Sequence, residues 1–333
     1  MSNPRPVAVT GLSVLTALGR GPEAQLSGVP AFAEVRRFDT GALRVRYAAL
    51  AAEAGTLEEE LDLAIATACS QAGVDRSTTP LLLAMHAPPK CEFGAARIYT
   101  SACVSGSTAL ADAAALISSG RAERVVVAGA YLVEPYQFAL FDAGRALASD
   151  NVVRPFSAER RGTLLGDGVA AVVLEAGSGV ARLAGWGRAG DAHHPCQPAP
   201  DGRGLAAALG RALQRAGVSA DQVGYVNANA TGTVFSDQAE AAAIKQVFRK
   251  SPPVSSTKGL HGHALEASGV VEFVVTVQAL LEGKLPVNAG FLGSDPECAV
   301  DLILDAPRSV QTQIAVSVNS AFGGANTALV VTV

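Results

Sequence analysis

Two segments of this 333-residue chain share one spacing pattern. Residues 105–120 read SGSTALADAAALISSG, and residues 268–283 read SGVVEFVVTVQALLEG. Each segment begins with Ser-Gly, continues for thirteen residues and ends on glycine, a residue that commonly terminates helices. A glycine-rich turn before an apolar segment also occurs twice, as GDGVAAVVLE at 166–175 and GGANTALVVTV at 323–333. We interpret these pairs as a duplicated βα unit, which predicts two similar halves.

Strand and helix signals alternate along the chain. Short apolar, β-branched segments predict strands that are buried on both faces, at 7–12, 81–87, 124–131 and 169–175. One helix is predicted to begin after Thr56, which has capping-box spacing with Glu59, and to end at Gly73. A second helix is predicted over about 205–216. This alternation predicts an α/β fold with covered sheets.

Two halves are predicted, residues 1–178 and 179–333. Each is expected to carry one of the matching helices, and these helices are apolar nearly all round, so we expect them to be buried at the centre of the molecule. The Pro- and Gly-rich stretch at 190–204 is expected to be a loop near the start of the second half. The GxGxxG pattern GWGRAG at 185–190 is expected to belong to a loop and not to a dinucleotide site, because prolines follow it where a helix would be needed.

Composition excludes several classes of protein. The net charge is −4 and the basic residues are scattered, so we expect no nucleic-acid partner. No signal peptide and no run of 18 apolar residues is present, which predicts a cytoplasmic chain without a membrane span. The five cysteines match neither a disulfide framework nor a metal site, so reduced thiols and no bound metal are expected, at positions 69, 91, 103, 196 and 298.

Cys103 lies where an apolar segment gives way to the first matching helix. A helix N-terminus favours a thiolate over a thiol, so this position predicts a lowered pKa for Cys103. Cysteine is also among the most commonly buried residues and often serves as a small apolar side chain. The two alternatives are a nucleophile and core filler, and the second half of the chain favours the nucleophile, because Lys258, His263 and Glu272 lie around the start of the matching helix.

At these residues the chain resembles the β-ketoacyl synthases, the thiolase-fold condensing enzymes of fatty acid and polyketide synthesis. The resemblance extends nearly from end to end, through VTGLSVLTALGRG, TSACVSGS, RPFSAERRGTLLGDGVAAVVLE, YVNANATGT, STKGLHGHALEASG and NSAFGGAN. It implies a thiolase-like duplicated αβαβα layered fold with a buried central helix pair. It also implies acyl-carrier protein as a partner and either a homodimer or a heterodimer with another ketosynthase-like chain.

The resemblance implies a role for each matching residue. Cys103 matches the acyl-accepting nucleophile, Lys258 and His263 match the lysine and histidine of the STK…GH segment, and Glu272 matches the acidic residue that follows. Phe322 matches the phenylalanine that gates the acyl pocket, and its backbone N–H with that of Cys103 would form the oxyanion hole.

Three further matches concern the gate and the substrate arm. Gly323 belongs to the turn that supports the gate and the oxyanion hole. Thr231 and Thr233 match the threonines that meet the phosphopantetheine arm. No bound cofactor is implied, because the substrate itself is carried on phosphopantetheine, as acyl-carrier protein or acyl-CoA.

The YVNANATGT segment departs from the family pattern. Asn229 stands where the family has a histidine, and Ala230 replaces a glycine. Asparagine can donate a hydrogen bond to an oxyanion but cannot carry a proton, so decarboxylation of a malonyl extender is in question while acylation of Cys103 is not. Some ketosynthases that lack this histidine transfer acyl chains without elongation. Thiolases use asparagine here but need a second cysteine in the last glycine turn, and this chain has none there.

Other departures concern the pocket. Only residues 88–97 connect the predicted strand at 81–87 to the strand before Cys103, where the family has a long helical excursion that lines the acyl tunnel. Arg161 and Thr163 replace an acidic and an aromatic residue, and NSAFGGAN is one residue short. A reshaped acyl pocket is therefore expected. The resemblance also places a dimer interface on the strand near 124–131, which is apolar enough that we expect it to lie at a sheet edge and to need a partner there.

Two functions remain open from the sequence. The first is acyl transfer through a Cys103 thioester, either with C–C bond formation to a β-ketoacyl product or without elongation. The second is a non-catalytic partner subunit, like a chain-length factor, in a heterodimeric synthase. Retention of Cys103, Lys258 and His263 favours the enzyme, because a partner without chemistry does not need these side chains.

Overall fold

The structure is a computed structural model and describes residues 4–86 and 93–333. Within these ranges, the helices are α1 (Leu57–Ala72), α2 (Ser105–Ser118), α3 (Pro135–Ala143), α4 (Arg203–Ala216), α5 (Val234–Val247), α6 (Lys258–His261) and α7 (Ser268–Leu281). The strands are β1 (Val7–Thr16), β2 (Gly19–Arg20), β3 (Phe32–Glu34), β4 (Tyr47–Ala49), β5 (Leu81–Ala84), β6 (Ala95–Tyr99), β7 (Arg124–Tyr131), β8 (Gly168–Ala176), β9 (Ala181–Gly190), β10 (Tyr225–Asn227), β11 (Pro253–Ser255), β12 (Lys284–Leu285), β13 (Asp301–Leu302), β14 (Arg308–Ser309), β15 (Ile314–Ala321) and β16 (Ala325–Thr332).

The two halves have the same sheet topology. The first half has the order β6-β5-β7-β8-β1, and the second has the order β11-β10-β15-β16-β9, with the short β13 added beside β11. In each half the first three strands of this order are parallel, and each of the last two is antiparallel to its neighbour. The sheets are linked by a short pairing of β1 with β9. The predicted duplicated, thiolase-like fold is confirmed.

Helices α2 and α7 lie between the two sheets and form the predicted central pair. Their apolar side chains share one core with inward-facing residues of both sheets, including Val127 and Val172 from the first half and Leu329 and Val331 from the second. Helix α1 packs on the outer face of the first sheet. Helices α4 and α5 pack on the outer face of the second sheet. Five layers result, and the central layer carries a helix N-terminus from each half.

Glycines permit the central helices to approach each other closely. A Cβ atom at Gly106 would lie 2.8 Å from the backbone nitrogen of Val270, and one at Gly269 would lie 2.3 Å from the backbone nitrogen of Ser107. Any side chain at either position would force the helices apart. The Ser-Gly pair that marks the sequence repeat is therefore the point where α2 and α7 touch.

The predicted helix boundaries agree with the structure. Both bonds of the capping box at Thr56 and Glu59 are present at the start of α1, and Gly73 ends this helix with a φ of 66°. Helix α4 ends at Gly217 in the same left-handed conformation. These local signals are independent of tertiary packing, which explains why they could be read from the sequence.

The prediction of a loop at 185–190 was wrong, because these residues belong to β9 and pair with β16. Their glycines serve packing. A Cβ atom at Gly187 would lie 1.9 Å from the carbonyl oxygen of Ala208, and one at Gly185 would lie 2.2 Å from that of Ala212. The absence of side chains lets α4 lie directly on the strand.

The expectation that the strand at 124–131 lies at a sheet edge was also wrong. This strand is β7, and it lies between β5 and β8. It is apolar because both of its faces are buried. Strand β6 is at the edge of the first sheet among the described residues.

Two sequence predictions fall partly outside the described residues. Strand β5 ends at Ala84, and most of the short connection that precedes β6 lies at 87–92, as does Cys91. Within residues 4–86 and 93–333, no helix is both long enough and apolar enough to cross a bilayer.

Candidate active site

Cys103 lies in the turn that joins β6 to α2. The turn is a single 3₁₀ turn, Ala102–Val104, and Ala102 adopts a positive φ of 51°. A non-glycine residue in this region is strained, so the surrounding packing must hold the turn in place. Cys103 is 8% exposed and therefore buried.

His263 contacts the thiol. Its Nε2 atom lies 3.0 Å from the Sγ atom of Cys103, and its Nδ1 atom lies 2.8 Å from the hydroxyl oxygen of Ser268, the first residue of α7. Ser268 can accept a hydrogen bond from Nδ1–H, and this tautomer leaves the lone pair of Nε2 directed at the thiol. The imidazole is thus oriented as a base toward sulfur.

Burial controls the protonation of this pair. It raises the pKa of the Cys103 thiol to about 12, with the negative charge of Glu266 acting in the same direction. Burial and the nearby positive charge of Lys258 lower the pKa of His263 well below its usual range. The expected lowering of the Cys103 pKa was therefore wrong, because desolvation outweighs the helix terminus. The resting pair is a thiol and a neutral imidazole.

Lys258 and Glu272 form a fully buried ion pair beside the His263 turn. The second carboxylate oxygen of Glu272 accepts a hydrogen bond of 2.6 Å from Nδ2 of Asn319, at the end of β15. A buried charge is tolerated only when it is paired and its remaining lone pairs are bonded, and both conditions hold for this carboxylate. The ammonium group of Lys258 is thereby held in place.

Asn229 lies against this ammonium group. Its Oδ1 atom accepts a hydrogen bond of 3.3 Å from Nζ of Lys258, and its backbone N–H donates to Oε1 of Glu240 at 2.7 Å. An ammonium group can only donate, so the carbonyl oxygen of the Asn229 amide must face it. The NH₂ group of the same amide is consequently turned away from Lys258.

Thr231 and Thr233 lie on the segment between β10 and α5. Both are half-buried, and their hydroxyl oxygens are 3.0 Å apart. Gly232 between them has a φ of 77°, and its N–H donates to the carboxylate of the buried Asp237. The loop therefore presents two adjacent hydroxyl groups from a fixed backbone.

Phe322 and Gly323 form the tight turn between β15 and β16. Gly323 and Gly324 have φ values of 85° and 72°, which only glycine adopts readily. The N–H of Gly323 donates to the carbonyl oxygen of Pro195 at 2.7 Å, so it anchors the turn. The Phe322 side chain is 58% exposed, and its ring lies 6.5 Å from the ring of Phe141.

The structure therefore brings Cys103, His263, Lys258, Asn229 and Glu272 together at one place, between the N-termini of α2 and α7. Sequence reasoning missed four polar side chains of this region, namely Ser268, Asn319, Glu240 and Glu266. Ser268 and Asn319 lie within quoted motifs, where a polar residue next to a buried apolar segment was the available signal. Glu240 lies just outside the motifs, inside α5, which begins directly after the YVNANATGT segment. No cluster of three potential metal ligands occurs in the described ranges.

Comparison with known proteins agrees with this geometry. Residues 93–178 match the N-terminal domain of β-ketoacyl synthases, and residues 180–292 match the C-terminal domain. The chain belongs to the β-ketoacyl synthase family.

Individual relatives support the assignment. The 3-oxoacyl-[acyl-carrier-protein] synthase 2 of Synechocystis sp. is 35% identical over 246 residues, which are 69% of this chain and 59% of that protein. The chain thus aligns with about three fifths of this curated relative. A β-ketoacyl synthase from Burkholderia phymatum has the same fold, with a TM-score of 0.91, 25% identity and coverage of 98% and 99% of the two chains. A chain from the complex of a ketosynthase with its chain length factor, from Xenorhabdus doucetiae, has a similar fold, with a TM-score of 0.83, 24% identity and coverage of 100% of both chains.

Proposed function

We propose that this protein is an acyltransferase of the β-ketoacyl-acyl-carrier-protein synthase type, in which Cys103 carries the acyl group as a thioester. The observation that carries the proposal is the 3.0 Å contact between Sγ of Cys103 and Nε2 of His263, a neutral base held by Ser268. A buried structural cysteine needs no such partner. The acyl donor is a phosphopantetheine thioester on acyl-carrier protein or CoA.

The first step is transfer of the acyl group to sulfur. As Sγ of Cys103 attacks the thioester carbonyl, Nε2 of His263 takes the thiol proton, because a thiol with a pKa near 12 is not ionised at neutral pH. The backbone N–H groups of Cys103 and Phe322 are the proposed donors to the oxyanion. The intermediate then collapses, the bond to the pantetheine sulfur breaks, and His263 returns the proton to that sulfur. No ion pair has to exist before the substrate binds.

The second step uses the side chains on the other side of the site. In an elongating reaction, a malonyl donor loses carbon dioxide, and the resulting enolate carbon attacks the Cys103 thioester. The bond from the acyl carbon to Sγ then breaks, and the departing thiolate takes a proton from water. The NH₂ group of Asn229 is the proposed donor to the enolate oxygen, because Nε2 of neutral His263 carries a lone pair and cannot donate. The NH₂ group faces away from Lys258, so it is oriented to donate. It offers only a neutral dipole, whereas a histidine would offer a proton or a positive charge. This limits decarboxylation more than acylation.

Partners follow from the same proposal. An acyl-carrier protein would deliver the thioester, and the exposed edge of β6 offers a place for a second ketosynthase-like chain, either another copy or a chain-length-factor-like subunit. A purely structural role beside an active synthase is the alternative. The intact Cys103–His263 contact and the ordered Lys258–Glu272 pair favour catalysis.

Intact-mass spectrometry tests the proposal. The protein is incubated with acyl-CoA and with acyl-carrier protein loaded with the same acyl group, and the adduct is located by peptide mapping. We expect one acyl group per chain on Cys103 and none on the exposed Cys196. If no donor acylates the protein, alone or with a ketosynthase partner, the non-catalytic role stands instead.

A further inference from the structure

A second cluster of polar side chains lies next to the Cys103 turn and has no part in the chemistry above. The residue pairing between strands shows where this cluster lies in the fold. Ala84 pairs with Gly129 in the first sheet as Asn227 pairs with Ser317 in the second. Two residues beyond these pairs come His86 and Tyr131 in the first half. Their counterparts in the second half are Asn229 and Asn319, which both belong to the site.

Glu266 completes the correspondence. It precedes the Ser-Gly pair of α7 by two residues, as Cys103 precedes that of α2. Each of the two residues lies in a 3₁₀ turn, directly after a non-glycine residue with a positive φ, which is 45° for Leu265 and 51° for Ala102. The fold therefore places a carboxylate in one half where the other half has the nucleophile.

The carboxylate of Glu266 is buried and incompletely bonded. The residue is 5% exposed, and its Oε1 atom lies 3.3 Å from Nδ1 of His86. Its Oε2 atom is buried without a hydrogen-bond partner among residues 4–86 and 93–333, and the same holds for the hydroxyl group of the 4% exposed Tyr131. Leaving such a group unpaired costs about 1–3 kcal/mol, so two such groups in one region indicate a hydrogen-bond partner that is not among the described residues.

The cluster is within reach of a group attached to Cys103. The turn 265–267 packs directly on the turn 102–104, and a Cβ atom at Gly106 would lie 3.1 Å from the carbonyl oxygen of Glu266. The turn 265–267 also packs on β7, the strand that ends at Tyr131. Glu266 therefore lies near both the nucleophile and the unpaired hydroxyl group.

We propose that Glu266 and Tyr131 are specificity-determining residues, which bind a hydrogen-bond-donating substituent near the carbonyl group of the acyl chain on Cys103. A carboxylate only accepts hydrogen bonds, so the substituent is a hydroxyl or an ammonium group, and the Tyr131 hydroxyl is a second partner for it. This inference rests on the proposed function. It goes further in naming the substrate class, which is a short acyl chain with a polar substituent in place of a plain alkyl chain.

The expected discrimination is large enough to measure. A pocket built to bond a hydroxyl group rejects an analogue that lacks it more strongly than an apolar pocket rejects a change of one methylene, because the polar groups of the pocket stay unpaired. We expect wild-type protein to be acylated at Cys103 at least about tenfold faster by a substituted thioester than by the plain one.

The test compares three CoA thioesters of equal chain length: butyryl, 3-hydroxybutyryl and 3-aminobutyryl. Rates of Cys103 acylation are measured by intact mass for wild type, Glu266→Gln and Glu266→Leu, with melting temperatures recorded to confirm folding. Glu60→Gln is the matched control, because Glu60 is a similarly buried glutamate in α1, where it pairs with Arg20. A preference for the amino compound that is lost in Glu266→Gln identifies an ammonium ligand, and a preference for the hydroxy compound that survives in Glu266→Gln but not in Glu266→Leu identifies a hydroxyl.

The outcomes separate this inference from the proposed function. Acylation of Cys103 by all three thioesters at equal rates, or a preference that Glu266→Leu leaves unchanged, would overturn the inference and leave the proposed function intact. Failure of every thioester to acylate Cys103 would overturn both.

Discussion

The two halves have one topology but differ in the turn that follows the second parallel strand along the chain. In the first half only residues 100–104 separate β6 from α2. In the second half residues 256–267 separate β11 from α7, and this longer segment contains the short helix Lys258–His261. The short turn supplies the thiol, and the long one supplies the ammonium group and the imidazole. The two halves thus have equivalent helix N-termini. The longer segment before α7 brings the ammonium group and the imidazole to the nucleophile at the N-terminus of α2.

The halves differ again between their first two parallel strands. The second half has α5 there, and its buried carboxyl groups accept hydrogen bonds from backbone N–H groups of the site: Asp237 bonds Phe156 and Gly232, and Glu240 bonds Asn229. The first half has only residues 85–94 at that place, and the structure does not describe 87–92. The reshaped acyl pocket that the sequence predicts at this connection remains a prediction.

The sharpest test of this difference between the halves replaces Cys103 and Glu266, the two equivalent turn residues, in separate variants. We expect Cys103→Ala to lose acylation by at least about 10³-fold, because it removes the atom that forms the thioester. Glu266→Ala should still be acylated, because its position carries no nucleophile. The measurement is the rate of adduct formation by intact mass, with Cys196→Ala as the control. An adduct that persists in Cys103→Ala would place the nucleophile elsewhere.

The contact between the two central helices allows a second test. Gly269→Ala should destabilise the fold by about 3 kcal/mol or more, because its Cβ atom would lie 2.3 Å from the backbone nitrogen of Ser107 and neither helix can yield. Gly106→Ala should cost less, because its contacts begin at 2.8 Å. The free energy of unfolding in urea gives both values.

Gly210→Ala is the matched control for these two variants. Gly210 is exposed inside α4, and a Cβ atom there would meet nothing within 4 Å. Alanine favours a helix over glycine by roughly 0.5–1 kcal/mol, so this variant should be more stable than wild type. Equal effects at all three glycines would show that helix propensity, and not the crossing of α2 and α7, decides them.

The missing histidine of the second half offers a third test. We expect wild-type protein to release little carbon dioxide from malonyl-acyl-carrier protein, and we expect Asn229→His to raise the release by roughly 10²-fold, because an imidazole can stabilise the enolate and relay a proton. Labelled bicarbonate is measured in parallel with Cys103 acylation, which should stay unchanged. Robust decarboxylation by the wild type would show that Asn229 suffices beside His263, and the non-elongating reaction would be rejected.

Much of the fold followed from local features of the sequence. The repeat at 105–120 and 268–283 predicted the paired central helices, and the capping residues predicted the ends of α1. These features depend on residues close in sequence, or on a pattern that occurs twice. The position of β7 inside its sheet could not be read in this way, because an apolar strand looks the same at a buried edge and at the centre.

The sequence predicted which residues the structure brings together at the candidate site, but it did not predict their protonation. Motif spacing identified Cys103 and His263, yet the protonation of the pair depends on burial, which arises from contacts 160 residues apart. Glu266 was missed although it lies within the STKGLHGHALEASG motif and precedes the Ser-Gly pair as Cys103 does, because the repeat was compared only from that pair onward. Its importance follows only from the strand registers of both sheets and from the two polar groups left without partners.

The smallest expected effect concerns α5, the helix that only the second half has in this place. Burial raises the pKa of Glu240 to about 8, well above its ordinary value of 4.5. Between these pH values the folded protein holds a proton that the unfolded chain has lost, so the free energy of unfolding falls as the pH rises through this window and levels off above about 8.

Glu240→Gln keeps an oxygen for the Asn229 N–H but does not titrate. The stability of this variant relative to wild type should therefore increase by on the order of 2 kcal/mol from pH 5 to pH 8.5, since one pKa unit corresponds to about 1.4 kcal/mol and relaxation reduces the full shift. Asp237, whose pKa burial raises to about 7, titrates in both proteins, and its charge adds to the raised pKa of Glu240, so the difference reports the titration of this pair. Urea unfolding at several pH values gives this difference, and a value that does not change with pH would mean that Glu240 is ionised in the folded state and that α5 holds Asn229 with a charged carboxylate.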